Sequence, residues 1–252
     1  MKRILDWIFT IPFLVMFAVA LFVFDPLLRL ARLFGLRAIG WVAGALQWTL
    51  VGIYRITGTR ISVERSPLVK RSTGYVIVAN HQSLYELPLF GAYLFSNQPR
   101  FISKVENGKW FPSISYHLRR GGNGLIDRKD RRQSLTEIKR VGEQAQRLRL
   151  SMIIFPEGTR ARDGALQEYK QAGTLALLRA APDLDVLPVA LDGGWKVMKH
   201  NFLPIPFGTR LRMRVGDPIP READEDRGKL IEQARRFVDD TLNEWRGVEA
   251  SD

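Results

Sequence analysis

Tyr75-Val76-Ile77-Val78-Ala79-Asn80-His81-Gln82-Ser83-Leu84-Tyr85-Glu86-Leu87-Pro88 is the stretch on which the fold reading turns. Its first five residues are apolar and rich in β-branched side chains, the signature of a short buried strand. Further strand-like and helix-like runs alternate downstream, which makes the fold class α/β. The strand delivers Asn80 and His81 to its carboxyl end, where α/β folds gather ligand and catalytic groups. Glu86 lies five residues after the histidine. An imidazole with a carboxylate in reach is a candidate general base with its orienter. Ser83-Leu84-Tyr85-Glu86 also fits the S-x-x-E capping box, which would assign the carboxylate to a helix start. Pro88 speaks against that. With Ser83 as the cap of a continuous α-helix, Pro88 falls at the fifth position and clashes with the carbonyl of Leu84. A helix beginning two or three residues later tolerates Pro88 in its first turn and leaves Glu86 free to hold His81.

The whole chain, at 252 residues, suffices for one large domain or two small ones with a sizeable core. Lys and Arg number 38 against 26 Asp and Glu, and the net charge of +12 favours polyanionic partners: nucleic acid, an anionic membrane surface or phosphorylated substrates. The absence of cysteine excludes disulfides, thiolate metal sites and a cysteine nucleophile.

Upstream, Trp7 to Phe24 carries no charge and is about the minimum length for a spanning helix. No small-x-small cleavage site comes after it, so a retained anchor is expected in place of a signal peptide. A second apolar run, Ala38 to Tyr54, comes after Arg29, Arg32 and Arg37. Two spanning helices would put those arginines on the far side, against the positive-inside tendency. A helical pair lying in one leaflet keeps them with the headgroups. The expected division is therefore a membrane-anchoring pair over residues 1–57 and an α/β domain over residues 58–252.

Downstream, Arg100 to Val105 reads as a strand ending at Lys104, by spacing alone an ordinary edge lysine. Arg119-Arg120-Gly121-Gly122-Asn123-Gly124 is a basic, glycine-rich loop able to approach an anion, with Arg128 shortly after it. The charge run over 128–132 has no interleaved aromatics for stacking bases, so no nucleic-acid partner is expected. Ser151 to Phe155 is a buried strand that runs into Pro156-Glu157-Gly158-Thr159-Arg160. A glycine turn with a hydroxyl and a guanidinium is suited to gripping a phosphate. Glu157 is expected to salt-bridge Arg160 or brace a neighbouring loop; companions for a metal site are missing, and no metal is expected. Pro188 interrupts the strand Asp185 to Leu191 and belongs at an edge, at a bulge or where the strand lines a site. Arg210, Arg212 and Arg214 alternate with Leu211, Met213 and Val215 and are expected to face solvent or headgroups.

Taken together, Asn80-His81-x4-Glu86, Gly124-Leu-Ile-Asp-Arg128, Phe155-Pro-Glu-Gly-Thr-Arg160 and Val186-Leu-Pro188-Val resemble the four ordered motifs of the glycerolipid acyltransferases, and among them the bacterial 1-acyl-sn-glycerol-3-phosphate acyltransferases, often called the PlsC family. The resemblance covers roughly residues 60 to 220. It implies a mixed β-sheet flanked by helices, of the glycerol-3-phosphate acyltransferase kind, behind an amino-terminal apolar helical pair. It also implies transfer of a fatty acyl group from acyl-CoA or acyl carrier protein to the free hydroxyl of 1-acylglycerol-3-phosphate, giving phosphatidic acid, at the cytoplasmic face of the inner membrane. No cofactor is implied beyond the acyl donor as co-substrate. His81 and Glu86 would be catalytic; Lys104, Arg128, Glu157, Gly158, Thr159 and Arg160 would bind substrate. Another lysophospholipid or lyso-aminolipid acceptor fits the same motifs, and a catalytically silent lipid-binding module is the reading of a different class. The family usually has aspartate at the fifth position after the histidine, so Glu86→Asp is expected to retain or improve activity.

Overall fold

The structure, a computed structural model, describes residues 2–109, 111–200, 202–222 and 226–247; residues 1 and 248–252, the outer ends of the two expected segments, lie outside the described residues. Two long helices come first, α1 (Lys2–Ala31) and α2 (Leu36–Ile53), joined through a 3₁₀ turn at Arg32–Phe34. Strands and helices then alternate as β1 (Arg60–Arg65), β2 (Val76–Ala79), α3 (Leu87–Tyr93), β3 (Arg100–Lys104), α4 (Ile114–Arg120), β4 (Gly124–Ile126), α5 (Arg131–Leu148), β5 (Met152–Ile154), α6 (Gln171–Ala180), β6 (Val186–Asp192), α7 (Gly194–Val197), β7 (Arg210–Val215) and α8 (Arg227–Arg246).

Among the described residues seven strands form one sheet in the order β1-β7-β6-β2-β5-β3-β4. All neighbours are parallel except β6 and β7, so the sheet is mixed, as expected. β2 lies between β5 and β6, with Val76 opposite both Met152 and Val186. Its alternating side chains feed two cores. Val76 and Val78 pack with Ile138, Val141, Leu177 and Ile231 from α5, α6 and α8. Ile77 and Ala79 pack with Val51 of α2 and Leu89 and Phe90 of α3. Burial of each such aliphatic side chain contributes about 1.5–3 kcal/mol, which holds a four-residue strand firmly enough to present Asn80 and His81 in a fixed place. Because β2, β3, β5 and β6 run parallel, Lys104, His81, the 156–160 turn and Asp192 all emerge at one edge.

Pro188 sits inside the sheet, opposite Val78 on β2. Pairing with β7 starts only at Val189, so the missing N–H falls before that ladder begins. There the strand lines a cavity of about 480 Å³ with Arg65, Gly216 and Phe237. Arg210 of β7 is exposed as expected, whereas Arg212 and Arg214 are not. Arg214 pairs with Glu64 and Glu244, and Arg212 donates to the carbonyl of Trp245, because α8 folds back over that face. Two short helices escape sequence reading: α4 starts without a side-chain cap and α7 is a single turn, so neither carries a start signal.

α1 is docked on the sheet domain. Phe13 and Leu21 share a core with Leu50 and Ile53 of α2 and with Val197, Ile205 and Leu211. Its two acidic residues are both used: Asp6 accepts the backbone N–H of Phe207 (2.8 Å) and Asp25 that of Ser113 (2.7 Å). The opposite side exposes Trp7, Ile11, Val15, Val19 and Phe22. Both helices are long and apolar enough to cross a membrane. At the base of α2 lies Arg100, 1% exposed, whose guanidinium donates to the carbonyls of Leu36, Gln98, Pro99 and Gly121. A side chain at Gly40 would collide with it.

Candidate active site

Immediately after β2, Asn80 stands in for a further rung of the sheet. Its amide donates to the carbonyl of Leu191 and accepts the N–H of the same residue, both at 2.8 Å. The chain then turns, and His81 points its ring at Glu86: Nδ1 lies 2.5 Å from Oε1. The same oxygen accepts the N–H of Gln82 (2.8 Å), and Oε2 accepts that of Ser83 (3.0 Å). Ser83 caps the 3₁₀ turn Leu84–Glu86, and the capping box is formed in full.

The capping box and the histidine contact therefore coexist, contrary to the expectation that Pro88 excludes the first. The reason is local. The capped element is a single 3₁₀ turn that ends at Glu86, and α3 begins afresh at Leu87, which leaves Pro88 in its first turn. One carboxylate serves both purposes. Gly194 at the start of α7 permits the packing, since a Cβ there would fall 2.6 Å from Glu86 Oε2.

His81 is 8% exposed and stacks on Phe155 at a centroid distance of 4.2 Å. With Nδ1 engaged by a carboxylate, the neutral ring carries its proton there and offers the Nε2 lone pair. Among the described residues none hydrogen-bonds Nε2, so that nitrogen is available to a substrate proton.

The turn after β5 supplies the second half of the site. Gly158 adopts φ +66°, the left-handed conformation that turns the backbone at Thr159, and the N–H of Ala161 returns to the carbonyl of His81 (2.8 Å). Arg160 is half-buried; Nη1 lies 3.6 Å from Met198 Sδ and the guanidinium 5.5 Å from the Phe202 ring. Burial and the charge of Arg162 pull its pKa down, with Glu86 acting in the opposite direction. Arg128 is also lowered, first by desolvation and then by the charge of Arg160, with Glu106 acting in the opposite direction; among the described residues neither guanidinium forms an ion pair.

Of the two roles expected of Glu157, it takes the bracing of a neighbouring loop, through backbone hydrogen bonds and without an ion pair to Arg160. At 1% exposure its Oε1 accepts the N–H of His81 (2.7 Å) and its Oε2 that of Gln167 (3.1 Å). Desolvation raises its pKa to about 7, against the two backbone donors. Lys104 is exposed at the end of β3, on the same edge, and no hydrogen bond or ion pair joins it to the other candidates. Thr159 is exposed beside Arg160. Sequence reading missed Phe155, Met198 and Phe202 as neighbours of the site. The side chain of Lys170, just before α6, lies where a Cβ on Gly158 would point.

The model of the acyltransferase family matches residues 60–192, a span that contains β1 through β6 and every candidate residue. The chain belongs to the acyltransferase family. Curated relatives include the chloroplastic 1-acyl-sn-glycerol-3-phosphate acyltransferase BAT2 of Brassica napus, 31% identical over 203 residues, covering 79% of this chain and 55% of that protein. The 1-acyl-sn-glycerol-3-phosphate acyltransferase of Pseudomonas aeruginosa is 26% identical over 173 residues, 67% of this chain and 64% of that one. The chain spans about half the length of the first of these relatives. Among solved structures, the 1-acyl-sn-glycerophosphate acyltransferase PlsC of Thermotoga maritima superposes with a TM-score of 0.75 at 20% identity, over 98% of each chain. That likeness shows that this acyltransferase-family chain shares the PlsC fold, amino-terminal helices included.

Proposed function

We propose that the protein is a membrane-associated acyltransferase that moves a fatty acyl group from acyl-CoA or acyl carrier protein to the free hydroxyl of 1-acylglycerol-3-phosphate, forming phosphatidic acid. The observation that carries this reading is the buried His81–Glu86 pair at 2.5 Å, on the same edge of the sheet as Arg160 and Arg128, neither of which forms an ion pair among the described residues. His81 Nε2 takes the proton of the acceptor hydroxyl as its oxygen attacks the thioester carbonyl carbon. The imidazolium is held by Glu86. The tetrahedral intermediate then expels the thiolate, which takes the proton back from Nε2 and leaves as the free thiol. A leaving thiol of pKa about 8.5 needs little further help. The acceptor's own hydroxyl is the nucleophile, so no acyl-enzyme forms.

Arg160 and Arg128 hold the acceptor's phosphate and thereby aim its hydroxyl at Nε2, with Gly158 and Thr159 shaping the turn and Lys104 at the rim. Glu157 fixes the histidine loop from behind. α1 and α2 seat the site at the cytoplasmic face of the inner membrane, in one leaflet. This placement is supported by the docking of α1: Asp6 and Asp25, about 28 Å apart along the helix, both bind backbone of the sheet domain, so a helix crossing the hydrocarbon would drag those polar loops in with it.

The test is an acyl-transfer assay of the purified full chain with labelled oleoyl-CoA and, separately, oleoyl-acyl carrier protein against a panel of lysolipids. Phosphatidic acid should form from 1-acylglycerol-3-phosphate, and His81→Ala should lower kcat by at least about 10³-fold with its melting temperature unchanged. Preference for a lysolipid without a terminal phosphomonoester would overturn the acceptor assignment, and wild-type turnover by His81→Ala the assignment of the base.

A further inference from the structure

The segment between α7 and β7 touches both the candidate phosphate site and the anchor helix. At one end it presents Met198 and Phe202 to Arg160. At the other it is bound to α1: the N–H of Ile205 donates to Thr10 Oγ1 (2.9 Å) and that of Phe207 to Asp6 Oδ1 (2.8 Å). Asp6, Phe9, Thr10 and Phe13 have the i, i+3, i+4, i+7 spacing and so share one helical face. Phe9 meets the Phe207 ring at 4.5 Å, and Phe13 shares a core with Ile205. Thr10 is fully buried and Asp6 nearly so, in a helix whose other side is exposed and apolar. Polar side chains in such a helix are costly unless each meets a partner, and here each meets a backbone donor that would otherwise be unsatisfied.

We infer that Asp6 and Thr10 are positioning residues for the acceptor: through the segment at 198–207 they hold Met198 and Phe202, and these fix the guanidinium of Arg160 that grips the phosphate. Among the described residues no carboxylate pairs with Arg160, so its orientation depends on the thioether and the aromatic face. Both contacts are weak and direction-sensitive. Only Leu203 and Pro204 separate Phe202 from Ile205. Loss of the two hydrogen bonds on α1 frees that end of the segment, and Arg160 loses its seat without losing its charge. Acceptor affinity is thereby tied to the docking of the membrane helix. The inference rests on the reading that Arg160 binds the acceptor's phosphate.

The experiment measures initial rates of the full chain in mixed micelles, varying 1-oleoyl-lysophosphatidic acid and oleoyl-CoA independently. Asp6→Leu combined with Thr10→Val should raise the acceptor KM about tenfold, while the donor KM and kcat stay within about twofold. The isosteric Thr10→Val alone should give a smaller change in the same direction and serves if the pair does not fold. Asp6→Asn and Thr10→Ser each keep an acceptor oxygen and should restore the wild-type KM. In an Arg160→Ala background, where the acceptor KM is already high, the added α1 substitutions should change it less than twofold. Two results overturn the inference alone: an acceptor KM unmoved by the α1 variants while Arg160→Ala raises it, or a loss spread equally over kcat and both KM values and not restored by Asn and Ser. An acceptor KM unmoved by Arg160→Ala overturns the phosphate assignment and the inference with it.

Discussion

Two turns meet at the carboxyl edge of the sheet, and each buries a glutamate. Glu86 comes after β2 and accepts three donors, the imidazole Nδ1 and the N–H groups of Gln82 and Ser83. Glu157 comes after β5 and accepts two, the N–H groups of His81 and Gln167. The first reaches the ring of the histidine and the second its backbone. Only the first can stabilise an imidazolium directly; the second sets where the ring's main chain lies. A buried carboxylate beside a histidine is therefore not by itself evidence of a role in the chemistry, because the outcome depends on which atom of the histidine it meets.

The contrast between the two turns is tested hardest at Glu86. Glu86→Gln presents an amide N–H where an acceptor is needed, either to Ser83 or to the ring, and in the second case it drives the proton to Nε2. The expected fall in kcat is about 10²–10³-fold with the acceptor KM little changed, measured by steady-state kinetics. Arg160→Ala belongs to the other turn and should act on binding: the acceptor KM rises about 10–100-fold while the donor KM holds, read in the same assay. Glu86→Asp tests the expectation drawn from the family pattern, and the structure reverses its sign. A side chain one methylene shorter cannot reach the ring and two backbone donors from the same Cα position, so kcat should drop several-fold. Activity equal to wild type would mean that the turn closes up to meet the aspartate.

Glu157 gives the smallest effect and the one that pH separates. Its folded pKa of about 7 lies above the ordinary value of 4.5, so the folded state holds the proton more tightly. Stability from this group is present below about pH 4.5 and is lost as pH rises through 7, an effect of at most about 3 kcal/mol. Thermal unfolding of wild type and Glu157→Gln at pH 5 and pH 8 checks it. Wild type should lose melting temperature relative to the variant on going to pH 8, and parallel curves would show that the carboxylate is not desolvated as described.

Much of the fold and of the site is legible in the chain. The apolar run at 75–79, the five-residue spacing from His81 to Glu86 and the glycine turn at 158 carry their geometry locally, so sequence reading finds the central strand, the pair and the turn after Phe155. The capping box is visible too, yet Pro88 argues against it only if the helix is a continuous α-helix; a one-turn 3₁₀ element before Pro88 leaves no mark in the hydrophobic pattern. Asn80 gives no sign that its amide replaces a backbone rung with Leu191, 111 residues away. Phe155 reads as one more core residue, and only the stacking of His81 on it shows otherwise. Arg160 is found, but its seat on Met198 and Phe202 joins residues about 40 positions apart through a loop without periodicity.

Arg100 bears on how the molecule comes apart. Its guanidinium is surrounded by carbonyls from the start of α2, from just after α4 and from the residues just before β3, with no anion paired to it among the described residues. Peeling the helical pair off the sheet strips one of those carbonyls from a buried cation and bares the core shared with Val197, Ile205 and Leu211. The helical pair and the sheet therefore form a single cooperative unit, and residues 58–252 produced alone would expose a torn apolar face and aggregate.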